Sequence, residues 1–488
     1  MKSLFRFLRI AAACCLPVAL AAQTTHRPLA AVAGSTATTP FQTNNGKMPP
    51  PGQYPGPYFV LNHAWPTRPL PPLVNPPWRV AIHNGTINTQ NAGAYANALR
   101  QYVSVNARDL ILNYKTWDAA KAHWYNEPWV GGQREAISGT YAAGEFGKGI
   151  FPGTGLRTQF NTNVLTYYDE RAAYTLSKVW GATAMSPHIL PSATQFEEGS
   201  VIVKVAVFAS ETQGMQLGWW DAMNGAQVWP LYIGVGAQSN SPPPQLWSGY
   251  VAQFDIIVKD SKSSPKTGWV FTTLVYDSRV PGNAWDKMIP LGAQWGNDPQ
   301  ATQPGQPLTE NWNNPKAPLY ATQTLGWGGR LSGPNDGARN NIAIDGQVLQ
   351  NEPDSSCMSC HSTAQWNSPQ HKMVTFLLPS FATNAKYGFL FCDANGKPLP
   401  AGTPGPNICS PAQASTGWMK WYQNRLGTQA MDMGSVATDF DEVLSFKSLR
   451  YWWLAIAPPG AAMPMVMDTP PSHGVHFNQY TGAPLPNP

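Results

Sequence analysis

The feature that most constrains this chain is the pentapeptide Cys357-Met358-Ser359-Cys360-His361. Two cysteines separated by two residues and followed directly by a histidine form the attachment signal for a c-type haem. In that arrangement each thiol bonds one vinyl group of the porphyrin, and the histidine lies under the iron as its proximal ligand. The pentapeptide therefore predicts one covalent haem c, bound through Cys357 and Cys360 and ligated by His361.

Two other chemistries also use a Cys-x-x-Cys pair. A thioredoxin-like redox pair needs a βαβ setting and has no use for the histidine that follows. A zinc site needs a second pair of ligands, and the sequence contains no second Cys-x-x-Cys pair and no His-x-x-x-His pair. A chance match is the remaining alternative, and the start of the chain argues against it.

The first residues are typical of a secretory signal peptide. A positively charged start with Lys2 and Arg6 precedes an apolar stretch over residues 10–20, which is too short to span a bilayer. Small residues around Ala22 offer a cleavage site, so residues 1–22 are assigned to the signal. Haem c is attached outside the cytoplasm in bacteria, so the signal and the pentapeptide support each other. Together they predict a periplasmic or secreted protein.

The charge of the chain limits its partners. The full sequence has 32 Lys and Arg against 27 Asp and Glu, and three of the cations lie in the signal. The mature chain therefore has a net charge of about +2, which is too weak to indicate a nucleic acid or an anionic membrane. No later stretch is long and apolar enough for a transmembrane helix. The expected partner is a redox protein or a small-molecule ligand.

Composition and periodicity favour a mainly β fold. A simple electron-carrying c-type domain needs roughly 100 residues, so most of this 488-residue chain must build something else. Residues 201–208 are apolar on both faces apart from Lys204, which predicts a strand buried on both sides. The strand patterns over 250–259 and 269–276, joined by a short turn, predict neighbouring strands of an antiparallel sheet. The stretch 277–356, rich in Gly, Pro, Asn and Trp, predicts a long irregular connection. We expect an α+β fold with an antiparallel sheet core, peripheral helices and long irregular loops.

The chain divides into four parts. The signal (1–22) is followed by a Pro-rich extended arm over 23–80, for which Trp65 and Trp78 are candidate anchors; a flexible linker is the alternative. A β-rich core over 81–380 carries the haem motif. The last part, 381–488, comprises a disulfide loop, a helix and a C-terminal tail packed on the core.

Two features of this last part can be assigned to residues. Cys392 and Cys409 flank a loop of turn-forming residues, and an oxidising compartment favours a disulfide between them; two buried thiols are the alternative. An apolar stripe after Thr438 predicts a helix, with Thr438 as the N-cap and Asp441 three residues further on.

The order of three segments carries a resemblance to known cytochromes. The segments 198–204 and 268–271, followed by the pentapeptide, resemble cytochrome c-prime beta and the lysine-cross-linked, hydroxylamine-oxidising cytochromes. The stretch from about 115 to 365, including 285–299 and 325–331, resembles more closely a group of large, uncharacterised exported mono-haem proteins. The resemblance implies a β-sheet protein in which a buried strand precedes the haem motif.

The same resemblance gives a role to one lysine. In the cross-linked cytochromes a lysine bonds the porphyrin and tunes it toward oxidation of small nitrogen species, and Lys204 is the matching position here. Taken without the resemblance, Lys204 is a lysine whose stem packs in the protein and whose ammonium reaches solvent.

The residue opposite His361 on the iron decides between two functions. A methionine suits electron transfer, and Met463 is the first candidate because Ala462-Met463-Pro464 resembles the ligand loop of small cytochromes c, although methionine also fills irregular cores. Other candidates are Met431, Met433, Met465, Met467, His371, His473 and His476. An apolar residue there would leave the iron open to small ligands.

The sequence therefore predicts a periplasmic mono-haem c-type cytochrome that binds haem and transfers electrons. The alternative is a haem enzyme or small-ligand binder, with peroxide or nitrogen-oxide chemistry at an open axial position. Whether the protein turns over a substrate stays open at this point.

Overall fold

The computed structural model describes residues 39–42, 48–130, 134–146, 150–158, 160–209, 220–234, 244–336, 339–344, 347–353, 355–371, 391–392, 407–408 and 419–458. In chain order its helices and strands are α1 (Pro77–Val80), α2 (Ala92–Leu112), β1 (Trp124–Tyr125), β2 (Tyr141–Phe146), β3 (Phe160–Asp169), α3 (Glu170–Trp180), β4 (Val201–Ala209), β5 (Val228–Ile233), β6 (Gln245–Lys259), β7 (Trp269–Tyr276), β8 (Met288–Gln294), β9 (Asn311–Asn313), α4 (Leu319–Thr322), β10 (Arg339–Ile344), β11 (Gln347–Pro353), α5 (Cys357–His361), β12 (Gln365–Trp366), β13 (Phe391–Cys392), β14 (Asn407–Ile408), β15 (Val436–Ala437) and α6 (Leu449–Ile456). A π-helical turn, Val443–Ser448, leads directly into α6.

A nine-stranded antiparallel sheet forms the centre of the described structure. Its main order is β1-β3-β4-β6-β7-β8-β9, with β2 paired to β3 and β5 paired to β6. Two-stranded sheets join β10 to β11, β12 to β15 and β13 to β14. The expected mainly β, α+β fold with an antiparallel core and peripheral helices is confirmed.

The central strands are apolar on both faces because both faces are covered. Val203 and Ile256 belong to the hydrophobic cluster that includes α2 on one side of the sheet. Ile202 and Ile257 are the neighbours of these two residues on the same strands. They belong to a second cluster with α3, the haem-motif helix α5 and the π-helical turn. Alternation along a strand sends successive side chains to opposite faces, so α5 lies on the side of the sheet opposite α2.

One interior strand lies in the stretch that the sequence predicts to be irregular. Strand β8 pairs with β7 on one side and with β9 on the other. Pro290 cannot donate to a ladder, and it lies opposite Leu274 beside a shift in the β7–β8 register. The prediction of a long irregular connection over 277–356 is wrong where the chain forms β8, β9, α4, β10 and β11. Pro290 and Gly292 conceal the period of β8.

The Pro-rich segment is held to the core by both of its tryptophans. The Trp65 indole N–H donates to the Asn126 carbonyl at 3.1 Å. Trp78 is fully buried, and its indole donates to Asp260 Oδ2 at 3.1 Å. Residues 48–76 form no helix or strand. Indole contacts and single hydrogen bonds, such as Phe59 N to the Ala136 carbonyl at 3.0 Å, fix this segment in place of a ladder.

Several predictions fall on residues that the structure does not describe. These are the signal peptide 1–22, the first part of the arm, Cys409 and residues 459–488. The pairing of Cys392 with Asn407 brings the two ends of the intervening loop side by side, and the disulfide to Cys409 stays a prediction. Within the described ranges, no helix has the length and apolar character needed to cross a membrane.

Candidate haem-binding site

The haem motif forms a single helical turn, α5, capped by its own serines. Ser359 N donates to Ser356 Oγ at 3.2 Å, and Ser356 N donates back to Ser359 Oγ at 2.7 Å. This reciprocal capping starts the helix at Cys357. Residues three and four apart share one side of a helix, so the two cysteines and His361 project together. All three are half-buried, whereas the two residues between the cysteines are buried.

Strand β8 and the loop after β9 fix this turn to the sheet. Met358 N donates to Gln294 Oε1 at 3.0 Å, and Gln294 Nε2 donates to Ser356 Oγ at 3.2 Å. Cys357 N donates to the Leu331 carbonyl at 2.9 Å. Met358 is fully buried in the cluster between the sheet and α3. The backbone of the motif is therefore immobilised from the sheet side.

His361 has the tautomer that iron ligation requires. Its Nδ1 lies 2.8 Å from the Phe440 carbonyl oxygen, which can only accept, so Nδ1 carries the proton. The lone pair is then on Nε2, the arrangement typical of metal-binding histidines. Burial lowers the pKa of His361 to about 4, so the ring is neutral at physiological pH. The ring also packs on Phe271 of β7, with 4.7 Å between centroids.

A buried carboxylate that the sequence reasoning missed supports the Phe440 carbonyl. Asp439 accepts from Lys259 Nζ at 2.6 Å, from the Trp269 indole at 2.7 Å and from Phe196 N at 2.8 Å. Asp439 and Phe440 have φ values of 50° and 69°, in the left-handed region. A non-glycine residue there needs support from its surroundings, and the three donors to Asp439 supply it. The only signal in the sequence is an Asp next to a predicted helix start.

Neither Cys357 nor Cys360 takes part in a disulfide in the described part of the chain. Burial, together with the nearby carboxylates of Asp336 and Asp255, raises the pKa of Cys357 well above its usual value. A redox-active cysteine needs a lowered pKa, so this environment does not suit a thioredoxin-like pair.

Lys204 lies on the same side of the sheet as the motif. Its Nζ is 2.8 Å from Asp255 Oδ2 and 2.5 Å from Asp336 Oδ1. Burial alone would lower the pKa of Lys204, but the two carboxylates outweigh it and raise that pKa above its usual value. The ammonium ends between two carboxylates, and 20% of the Lys204 side chain is exposed to solvent.

The described distal candidates are Met431, Met433 and His371. Met433 is 100% exposed. His371 stacks on Trp453, with 3.4 Å between ring centroids, and burial lowers its pKa. Met463, His473 and His476 lie outside the described residues, so Met463 as the distal ligand stays a prediction.

The residues at the motif fit a covalent porphyrin better than a directly bound metal ion. Among the described residues, no group of three or more His, Cys, Asp or Glu side chains is arranged to hold a metal. Porphyrin iron needs only one or two protein ligands, and His361 has the right tautomer for one of them. Comparisons of the chain with protein-family models, with curated proteins and with solved structures find no match.

Proposed function

We propose that this chain is an exported mono-haem c-type cytochrome that transfers electrons to or from a redox partner protein in the periplasm. The observation that carries the proposal is the neutral His361, oriented by its 2.8 Å hydrogen bond to the Phe440 carbonyl, on a turn that presents both motif thiols on the same side. When bound, the haem supplies a one-electron redox centre.

Each residue at the site has a distinct task in this proposal. The Cys357 and Cys360 sulfurs hold the porphyrin edge, and His361 Nε2 ligates the iron. The Phe440 carbonyl keeps the Nδ1 proton in place, which fixes the ring orientation and makes Nε2 more basic. Met358 and Gln294 keep the motif backbone on the sheet.

The proposal is tested by producing the mature protein in a host that attaches c-type haem. We expect a red protein whose colour survives denaturation and whose mass exceeds that of the polypeptide by one haem. Cys357→Ala together with Cys360→Ala should abolish both signals. The matched control, Cys392→Ala with Cys409→Ala, also removes two cysteines and should keep the pigment. A colourless wild-type protein with the bare polypeptide mass would contradict the proposal.

A second candidate is a haem enzyme or small-ligand binder with an open axial position. The observation that favours it is the charged group of Lys204, Asp255 and Asp336 beside the motif, since simple electron transfer does not require buried charges. The resemblance to hydroxylamine-oxidising cytochromes points the same way and includes a porphyrin-bonded Lys204. An ammonium held by two carboxylates would have to lose a proton before it formed such a bond.

Carbon monoxide separates the two candidates. If a side chain such as Met463 fills the sixth position, the absorption spectrum of the ferrous protein should not change when carbon monoxide is added. Rapid and stoichiometric binding would instead favour the second candidate. Mass spectrometry of the haem peptide after digestion would show whether a peptide containing Lys204 is attached to it.

A further inference from the structure

Three charged side chains form a compact group on the face of the sheet that carries the motif. Lys204 on β4 contacts Asp255 on β6 and Asp336 in the loop before β10. Gln253 Nε2 donates to Asp255 Oδ2 at 2.8 Å and to Asp336 Oδ2 at 3.0 Å. One ammonium therefore stands against two carboxylates, which leaves one excess negative charge. We call these three residues the charge cluster.

The excess charge is shielded poorly by solvent. The side chains of Lys204, Asp255 and Asp336 are 20%, 8% and 22% exposed. The attraction of Lys204 outweighs burial and holds the pKa of Asp336 below its usual value, so this carboxylate stays ionised. Burial raises the pKa of Asp255, and the contact with Lys204 opposes that effect. A charge in such surroundings acts over a longer distance than one at the surface, because the effective dielectric constant is lower.

The strand register sets the charge cluster next to the haem motif. Lys204 lies opposite Asp255, and Asp255 lies opposite Thr273 on β7. Phe271 lies two residues before Thr273 on β7, and its ring contacts His361. Alternate residues of a strand share a face and lie about 7 Å apart, so one row of side chains separates the cluster from the proximal histidine.

The loop that carries Asp336 also contacts the motif. The Leu331 carbonyl accepts from Cys357 N at 2.9 Å, five residues before Asp336. Gly333 N donates to Asp336 Oδ2 at 3.1 Å, and Asn335 N donates to Gln253 Oε1 at 2.9 Å, so the loop is held against the sheet. Burial raises the pKa of the Cys357 thiol, Asp336 and Asp255 raise it further, and Lys204 opposes them. Burial lowers the pKa of His361, Lys204 lowers it further, and Asp336 opposes both.

We propose that the charge cluster lowers the reduction potential of the haem iron, with Asp336 as the carboxylate that carries the excess charge. This inference rests on the proposed haem binding. Reduction adds one electron to the ferric centre and removes one positive charge from it. A fixed negative charge nearby stabilises the ferric state more than the ferrous state, and so opposes reduction. Lys204 acts here as a partial neutraliser of two acids.

The test is the midpoint potential of the holoprotein, measured by spectroelectrochemistry in Asp336→Asn. This variant keeps the shape and removes the excess charge, so its potential should shift to more positive values. Asp336→Glu keeps the charge and should stay at the wild-type potential. The double variant Asp336→Asn with Lys204→Met leaves Asp255 alone, with the original net charge, and should return toward wild type. Asp118→Asn, at a carboxylate whose side chain is 41% exposed, is the surface control.

The outcomes separate the inference from the proposed function. Denatured samples are first assayed for covalent haem, and a wild-type protein without haem would refute the proposed function itself. Haem-loaded variants with equal potentials, or with a shift in Asp336→Glu as large as in Asp336→Asn, would overturn the inference alone. If Asp336→Asn does not mature, Asp255→Asn removes the other carboxylate and must give the same positive shift.

Discussion

At the residue scale, the candidate site depends on two buried acids on either side of Phe440. Asp439 holds the turn through Lys259 and Trp269. Asp441 accepts from Leu444 N at 3.0 Å and so provides the side-chain cap for the first turn of the helical segment that follows. The sequence predicts Thr438 in that role, and this is wrong because the chain makes a left-handed turn at Asp439 and Phe440 before the helix begins.

Asp441 gives the stability a pH dependence of definite sign. Burial raises its pKa to about 7, against the opposing effect of its hydrogen bonds from Leu444 and Tyr168. Between about pH 4 and 7 the folded protein holds a proton that the unfolded chain has released. The free energy of unfolding should therefore fall as the pH rises through this window. Asp441→Asn keeps the cap but cannot ionise. The decrease in its free energy of unfolding over this pH window should therefore be smaller than that of wild type by about 2–4 kcal/mol.

The measurement is urea unfolding of wild type and Asp441→Asn at pH 5 and pH 8, in the same haem state. Asp118→Asn serves as the control, because Asp118 is exposed and its hydrogen bond from Lys121 lowers its pKa. That control should leave the difference between the two pH values unchanged. Equal pH dependence in wild type and Asp441→Asn would contradict the assignment of this titration to Asp441.

At the element scale, the motif helix is seated by a close approach of two backbone segments. Trp327 N donates to the Ser355 carbonyl at 2.9 Å, directly before the cap of α5. A Cβ on Gly326 would overlap that carbonyl oxygen, so glycine is required here for the close approach and not for an unusual φ. The segment before Arg330 thus sets the position at which α5 begins.

Gly326→Ala should push Ser355 and Ser356 away from the sheet. We expect a loss of about 1–3 kcal/mol in the free energy of unfolding and a lower haem content per chain, because the cap of the motif helix moves. Denaturant unfolding and the haem-to-protein absorbance ratio measure the two effects. Gly85→Ala is the control, since the nearest atom to its Cβ would be the Ile82 carbonyl oxygen at 3.4 Å. If Gly326→Ala had the stability and the haem content of wild type, this contact would not be rigid.

At the scale of the whole molecule, the N-terminal segment is part of the core. Asp260, at the end of β6, accepts from the Trp78 indole, from Arg79 Nε at 2.7 Å and from the Tyr95 hydroxyl of α2 at 2.6 Å. Asp260 and Trp78 are both fully buried. The segment, α2 and the sheet are therefore joined at a single carboxylate.

Trp78→Ala should destabilise the protein by about 3–5 kcal/mol, because it leaves a cavity and removes one donor from a buried carboxylate. Val74→Ala, at a position that is 78% exposed, is the control and should change the free energy of unfolding by less than about 0.5 kcal/mol. Thermal and urea unfolding both report the effect. A small effect of Trp78→Ala would mean that the segment detaches without cost to the core.

The sequence by itself determined the features that are written locally. The pentapeptide 357–361 defines a covalent attachment chemistry within five residues, and alternation over 250–259 and 269–276 predicts strands that the structure contains. Strand β8 escaped because its period is broken by Pro290 and Gly292, and its identity as a strand comes from ladders to β7 and β9.

Only the tertiary structure decided which distant residues meet at the motif. The Phe440 carbonyl lies 79 residues from His361, and Asp336 lies 132 residues from Lys204. Such pairs depend on strand register and on the path of loops, which hydrogen bonding across the whole sheet determines and no local pattern encodes. The attachment chemistry could therefore be predicted from the sequence, whereas the orientation of His361 and the charge beside it are determined by the fold.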